Sequence, residues 1–283
     1  MPNTSVAIIN ASTVLRDDDV AAVVPALQKQ VSEHLSAVWG IDATLNFVQQ
    51  GASPPAGTWW LTILDNSDQA GSLGYHDLTN EGLPLGKVFA GSDMVNGNNW
   101  TVTASHELLE MLIDPDINRA VFIQDETGAG KLYAYEICDP CESDQYRYQI
   151  DGVLVSDFVF PSWFESFRTP GSAQFDVMQH ITQPFELLAG GYINTYDVGA
   201  GRGGWQPLNA AATPQNHLAR GPVGAGASAA VCGEIIGCAA FFESAGFSGY
   251  CGWTVSSPMM LLRRSVNLPR PASDGIKRAS GSD

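Results

Sequence analysis

The chain has 283 residues, 45% of them hydrophobic, and a formal net charge of −16. That length suits one large domain or a domain with an appendage, and the strong acidity argues against nucleic acid or an anionic membrane surface as partner. No apolar run is long enough to span a bilayer. The N-terminus carries no basic stretch followed by a long apolar run, so the expected location is cytoplasmic, leaderless-secreted or phage-associated.

In chain order, Ser5–Asn10 (SVAIIN) is apolar and β-branched and reads as a strand. Asp17, Asp18 and Asp19 then favour a helix start. Val20, Val23, Val24, Leu27, Val31, Leu35 and Val38 recur at helical spacing up to Gly40. Ala43–Val48 alternates as a second strand, and Thr58–Leu64 (TWWLTIL) is a third beyond the Pro54-Pro55 turn. His76 sits in a glycine-rich run that turns at Gly82-Leu83-Pro84 and continues into a strand over Gly86–Ala90; taken singly it is a surface or packing histidine. A loop over Asn96–Trp100 leads to Thr101–Asp116, TVTASHELLEMLIDPD, which reads as one helix ended by Asp114-Pro115.

Two residues of this helix, His106 and Glu110, lie four positions apart and therefore on one face. An imidazole and a carboxylate on consecutive turns suit a Zn²⁺ ion. Glu107, one position after the histidine, is placed to act as a base on water activated by the ion. The apolar neighbours Leu108, Leu109, Met111, Leu112 and Ile113 also make this a core-facing helix.

Strand, helix, strand, strand, edge strand, helix is the order expected of a mixed sheet backed by helices. With the HELLE motif, the chain resembles the zincin metallopeptidases. The resemblance covers about residues 5–116 in element order and Ser105–Glu110 in motif. It implies an α+β, zincin-like twisted mixed sheet with a backing helix and a metal-binding helix. Residues 71–90 would then supply an edge strand that holds an extended peptide or protein substrate. The family motif is HExxH, whereas Glu110 stands at the second histidine position here. The pattern HELLExxxDP with a later ExxDPxE also looks like a group of uncharacterised bacterial and phage proteins, a resemblance that assigns no function.

Beyond the helix, Val121–Asp125 and Lys131–Ile137 read as a hairpin that runs into Glu136-Ile137-Cys138-Asp139-Pro140-Cys141-Glu142. A zinc site needs a third protein ligand. Glu136 is the first choice, Asp139 the second and Asp116 the third; Asp114 serves as a cap or orients a ligand. The acids Glu136, Asp139, Glu142 and Asp144 also fit a solvated loop or a Ca²⁺ site. The CDPC run reads as a local disulfide or two thiols, with redox chemistry as a weaker reading. Tyr146–Ile150 and Val153–Phe160 form a hairpin across Asp151-Gly152, followed by the apolar cluster Pro161–Phe164. His180 reads as a surface histidine, with a late metal ligand as the alternative. Leu187–Val198 is a last strand, from which Tyr192 or Tyr196 would supply a hydroxyl donor.

The chain therefore divides into a metal-binding domain over 1–198, a Gly/Ala-rich linker with a Cys/aromatic extension over 199–262, and a basic tail over 263–283. That tail holds five of the 14 basic residues and is expected to be disordered. The extension, with Cys232, Cys238 and Cys251, is a candidate surface for a protein partner. The leading functional expectation is a zinc-dependent peptidase with His106, Glu110 and Glu136 as ligands and Glu107 as base. Two anionic ligands leave Zn²⁺ neutral overall and acidify its water less than a three-histidine set does. The competing expectation is a non-catalytic structural or interaction protein, a phage or secreted component, that keeps the fold around a structural ion.

Overall fold

A computed structural model describes residues 4–69, 71–124, 129–199 and 204–210. It is an α+β fold with mixed sheets and few helices. The expectations for the Cys/aromatic extension, the basic tail and most of the linker lie outside these residues. Among the described residues, no helix is long and apolar enough to cross a membrane.

The main sheet is built from β1 (Thr4–Asn10), β2 (Ala43–Val48), β3 (Trp59–Leu64), β4 (Gly74–Leu78) and β5 (Pro84–Phe89). Its spatial order is β2-β1-β3-β5-β4. The first four in that order run parallel, and β4 alone is antiparallel, paired with β5 through His76 opposite Gly86. Val6, Ile8, Leu61, Ile63 and Val88 are buried along the central strands, as expected where a parallel sheet is covered.

The helical stripe from Asp17 to Trp39 is not one α-helix. It forms α1 (Asp17–Ala21), α2 (Val24–Lys29), a π-helical turn over Gln30–Leu35, and α3 (Ser36–Trp39). Val24-Pro25 opens the second piece, because proline suits a first helical turn and has no N–H to continue the one before. The hairpin of β8 (Tyr148–Ile150) and β9 (Val153–Val155) ties this run to the HELLE helix. Gln30 donates to the Ser156 carbonyl at 2.9 Å, and Thr101 donates to the Leu154 carbonyl at 2.7 Å. The expected Asp151-Gly152 turn is present, with both residues at positive φ.

Two short elements escape the sequence pattern. Helix α4 (Ala90–Val95) follows β5 directly and has no side-chain cap to announce it. Strand β11 (Gln206–Asn209) lies in the stretch expected to be linker and pairs with β10 (Tyr192–Asp197). A second, antiparallel sheet has the order β11-β10-β7-β6, with β6 at Ala120–Gln124 and β7 at Gly130–Ala134. The expected long strand Leu187–Val198 begins only at Tyr192, since the Leu188 N–H turns inward to the Pro140 carbonyl. Glu136 and Ile137 likewise lie beyond the end of β7.

Candidate metal centre

Helix α5 (Trp100–Ile113) carries the motif, and every residue from Val102 to Ile113 is buried. A helix buried on all sides needs packing all round, and α5 receives it from β3, β4, β5 and β9. Polar anchors fix its rotation. Thr103 donates to Asp93 of α4 at 3.1 Å, and the Ser156 N–H donates to the Ser105 hydroxyl at 2.6 Å. Its end is set by Pro115, which bars Asp114 from helical geometry. The Asp114 carboxylate accepts the N–H groups of Asn118 and Arg119 and so caps the loop that follows.

His106, Glu107 and Glu110 point into one buried cluster. His106 Nε2 lies 3.1 Å from Glu110 Oε2 and 3.3 Å from Asp139 Oδ1. Asp139 is brought there by the single 3₁₀ turn Asp139–Cys141, whose backbone also serves Glu110. The N–H groups of Cys138 and Asp139 donate to Glu110 Oε1 at 2.9 and 3.3 Å. One oxygen of Glu110 is thus held by backbone, and the other faces His106. Tyr192, at the start of β10, is buried beside Asp139 and acts to lower its pKa; Tyr196 lies elsewhere, against the ring of Trp205.

The centre also contains His76, which is only 3% exposed and not a surface residue. Its Nδ1 lies 3.6 Å from Glu107 Oε2 and 3.9 Å from Glu110 Oε2, and its Nε2 lies 3.5 Å from Glu136 Oε2. Glu136 therefore reaches the cluster from the far side of the His76 ring, and its closest described basic partner is His76. His76 Nε2 and Glu136 Oε2 are buried with no hydrogen bond. Period-two alternation in β4, with Gly74 and His76 on one face, is the sequence signal that could have placed this histidine. Gly74 makes room for Glu107, because a Cβ there would stand 2.7 Å from Glu107 Oε1.

Electrostatics follow from four carboxylates sharing a dry site. Burial raises Glu136 well above the usual carboxylate range. Burial and then Glu110 push Asp139 up to about 7. Burial also acts to raise Glu110, but His106, His76 and the Cys138 N–H outweigh it and leave its pKa lowered. Burial would lower His76, yet Glu136, Glu107 and Glu110 overcome that and raise it to about 10. A carboxylate cluster of this kind is stable only when cationic charge or bound protons neutralise it.

Donor spacing fits a small divalent ion. Ligands about 2.0–2.1 Å from a tetrahedral zinc stand about 3.3 Å apart, which matches the His106–Glu110 and His106–Asp139 separations. Glu110 also forms groups of potential ligand atoms within 4.8 Å with His76 and Glu136, and with His106 and Cys138. The expected third ligands thus separate. Asp139 shares the His106 nitrogen, Glu136 shares His76, and Asp116 is exposed. Comparison of the chain with protein-family models, with curated proteins and with solved structures finds no match.

The remaining expectations fall out of the same geometry. Glu136, Asp139 and Glu142 are buried, so this run is not a solvated loop. Cys138 and Cys141 are free buried thiols. Burial, with Glu110 and Asp139 behind it, holds the Cys138 thiol well above its usual pKa, the opposite of the lowered pKa that a redox-active CxxC needs.

Proposed function

We propose that the chain is a zinc-dependent hydrolase of zincin type that cleaves peptide bonds. The observation that carries the reading is the buried meeting of His106 Nε2 with Glu110 Oε2 at 3.1 Å, with Cys138 completing a group of potential ligand atoms within 4.8 Å and Glu107 on the same helix beside them. The strand order, with one antiparallel edge strand beside the ligand helix, supports a zincin-like arrangement. Among the described residues strand β4 pairs only with β5, which leaves its outer edge able to accept an extended peptide as an added strand.

His106 and Glu110 would hold the ion, with Cys138 in reach as the third ligand; its Lewis acidity would polarise a carbonyl and make water a better nucleophile. Glu107 takes the water's proton and passes it to the leaving amine. His76, bracketed by Glu107 and Glu136, orients the Glu107 carboxylate. The Cys138 and Asp139 N–H groups fix a Glu110 oxygen, as partners of metal ligands do elsewhere.

A second reading, a structural ion in a non-catalytic protein, is favoured by one observation: His76, His106, Glu107, Glu110, Glu136 and Asp139 are all buried. A substrate reaches Glu107 only if β4 or the Cys138–Glu142 turn moves. Metal content and peptidase activity of the purified chain separate the two. About one zinc per chain should be lost in His106→Ala and Glu110→Gln. Glu107→Gln should keep its zinc and lose about 10²–10⁴-fold in peptide hydrolysis. Zinc binding with no hydrolysis of any peptide library by the wild type selects the structural reading.

A further inference from the structure

Three other residues converge away from Glu110. Asp157 follows Ser156 at the end of the β8–β9 hairpin, and Asp176 is brought back to it by an isolated antiparallel bridge between Val159 and Asp176. Four residues on, past Gln179 at φ 60°, lies His180. Both aspartates are fully buried, at 1% and 0% exposure, whereas the His180 side chain is 42% exposed. Backbone groups take three of the four carboxylate oxygens. Asp157 Oδ1 accepts Phe158 and Val177 N–H; Asp176 Oδ2 accepts His180 N–H and Oδ1 accepts Ile181 N–H.

The fourth oxygen, Asp157 Oδ2, is buried with no hydrogen bond. It and Asp176 Oδ2 each stand 3.8 Å from His180 Nδ1, and one atom from each residue fits within 4.8 Å. That separation is too long for a hydrogen bond. Two donors about 2.0–2.2 Å from a shared ion stand about 3–4 Å apart, so it suits ligands. A buried, unpartnered carboxylate oxygen beside a second carboxylate is costly unless a cation joins it.

We infer that Asp157, Asp176 and His180 form a second divalent-cation site, of the zinc class, distinct from the cluster around Glu110. One imidazole nitrogen with two carboxylate oxygens favours zinc or a neighbouring transition ion over calcium or magnesium. The exposed side of His180 gives the ion an entry path and leaves a position for water. The ion would fasten the 176–181 segment to Asp157, next to Ser156, whose N–H anchors α5 through Ser105. Its role is therefore structural. Burial and Asp176 push the metal-free Asp157 up to about 8, so a proton shared between the aspartates is the rival occupant.

The test is zinc titration of the chelator-stripped full chain at neutral pH, by calorimetry and by direct metal analysis, for wild type, His106→Ala, His180→Ala and Asp157→Asn. The His180 side chain is 42% exposed and its ring lies against Tyr146, so its replacement removes one ring contact and leaves both buried aspartates in place. Two zinc ions in the wild type should fall to one in His180→Ala and in His106→Ala, with different sites surviving. Losing a direct ligand should weaken this site at least as much as losing an outer partner does, about 10–100-fold. If the cluster around Glu110 binds nothing, one zinc should remain in wild type and His106→Ala and vanish in His180→Ala. Equal zinc binding in wild type, His180→Ala and Asp157→Asn overturns the inference. So does an Asp157→Asn protein that is more stable than its parent while zinc stabilises neither, the result a shared proton gives.

Discussion

His76 holds the positive charge of the metal-free cluster. Its pKa is raised from 6.5 to about 10 on folding. A raised histidine contributes stability that is complete below its unfolded pKa and is lost as pH climbs through the folded one. The raised Asp139, moving from 3.8 to about 7, has the same sign over a lower window. Metal-free protein should therefore lose stability steadily between pH about 7 and 10, seen as a falling urea midpoint in the presence of chelator. His76→Gln should flatten that limb, and a midpoint that rises over the same range would contradict the charge assigned to His76.

At the level of elements, β4 and α5 meet through a glycine. Gly74→Ala sets a methyl 2.7 Å from both Glu107 Oε1 and Thr103 Cγ2, so the Glu107 carboxylate and the Thr103 side chain of α5 must both give way. The expected outcome is a large fall in kcat with zinc content kept and a shift in Tm of a few degrees, measured by steady-state assay and calorimetry on the same preparation. Equal loss of zinc and stability would mean that the strand itself had moved. Most elements around this contact were legible in the sequence, because strand alternation and helix stripes are local signals. The π-helical turn within the Asp17–Trp39 stripe was not, since the apolar spacing of Val31 and Leu35 reads the same in either helix. Helix α4 was hidden for want of a cap, and β11 because a proline-bearing strand reads as loop.

For the whole molecule, the helix half of the centre was readable from one motif, while its other half required the fold. His106, Glu107 and Glu110 share two consecutive turns of one helix. His76 and Asp139 arrive from a sheet edge and a 3₁₀ turn, and no local pattern records that they meet. Glu136, the first choice because it lies far enough downstream to return to the helix, forms a group of potential ligand atoms with Glu110 and His76, and no sequence distance reveals the part of His76. Asp157 lies far in sequence from Asp176 and His180, and an isolated bridge together with the Val177 N–H bond to Asp157 brings them together. A ligand that binds only folded protein stabilises it by about 2.7 kcal/mol at one hundred times its Kd. Zinc should therefore raise Tm progressively with concentration and chelator should reverse the rise. A Tm unmoved by zinc would exclude a formed site in the native chain.

The two oxygens of Glu110 have different partners: backbone N–H groups hold one, and the other faces His106. Histidine cannot fill that place on equal terms. It would offer one nitrogen toward the cluster, while its other ring N–H, or its carbon edge, met the Cys138 and Asp139 donors and left them unpaired. Glu110→His, which writes HExxH into the chain, should thus lower stability by about 1–3 kcal/mol and fail to improve zinc binding. Seen as descent, the glutamate is no half-lost histidine that one codon change restores. The Cys138–Asp139 turn and the carboxylate have come to depend on each other, and a lineage leaving this motif would have to change both together.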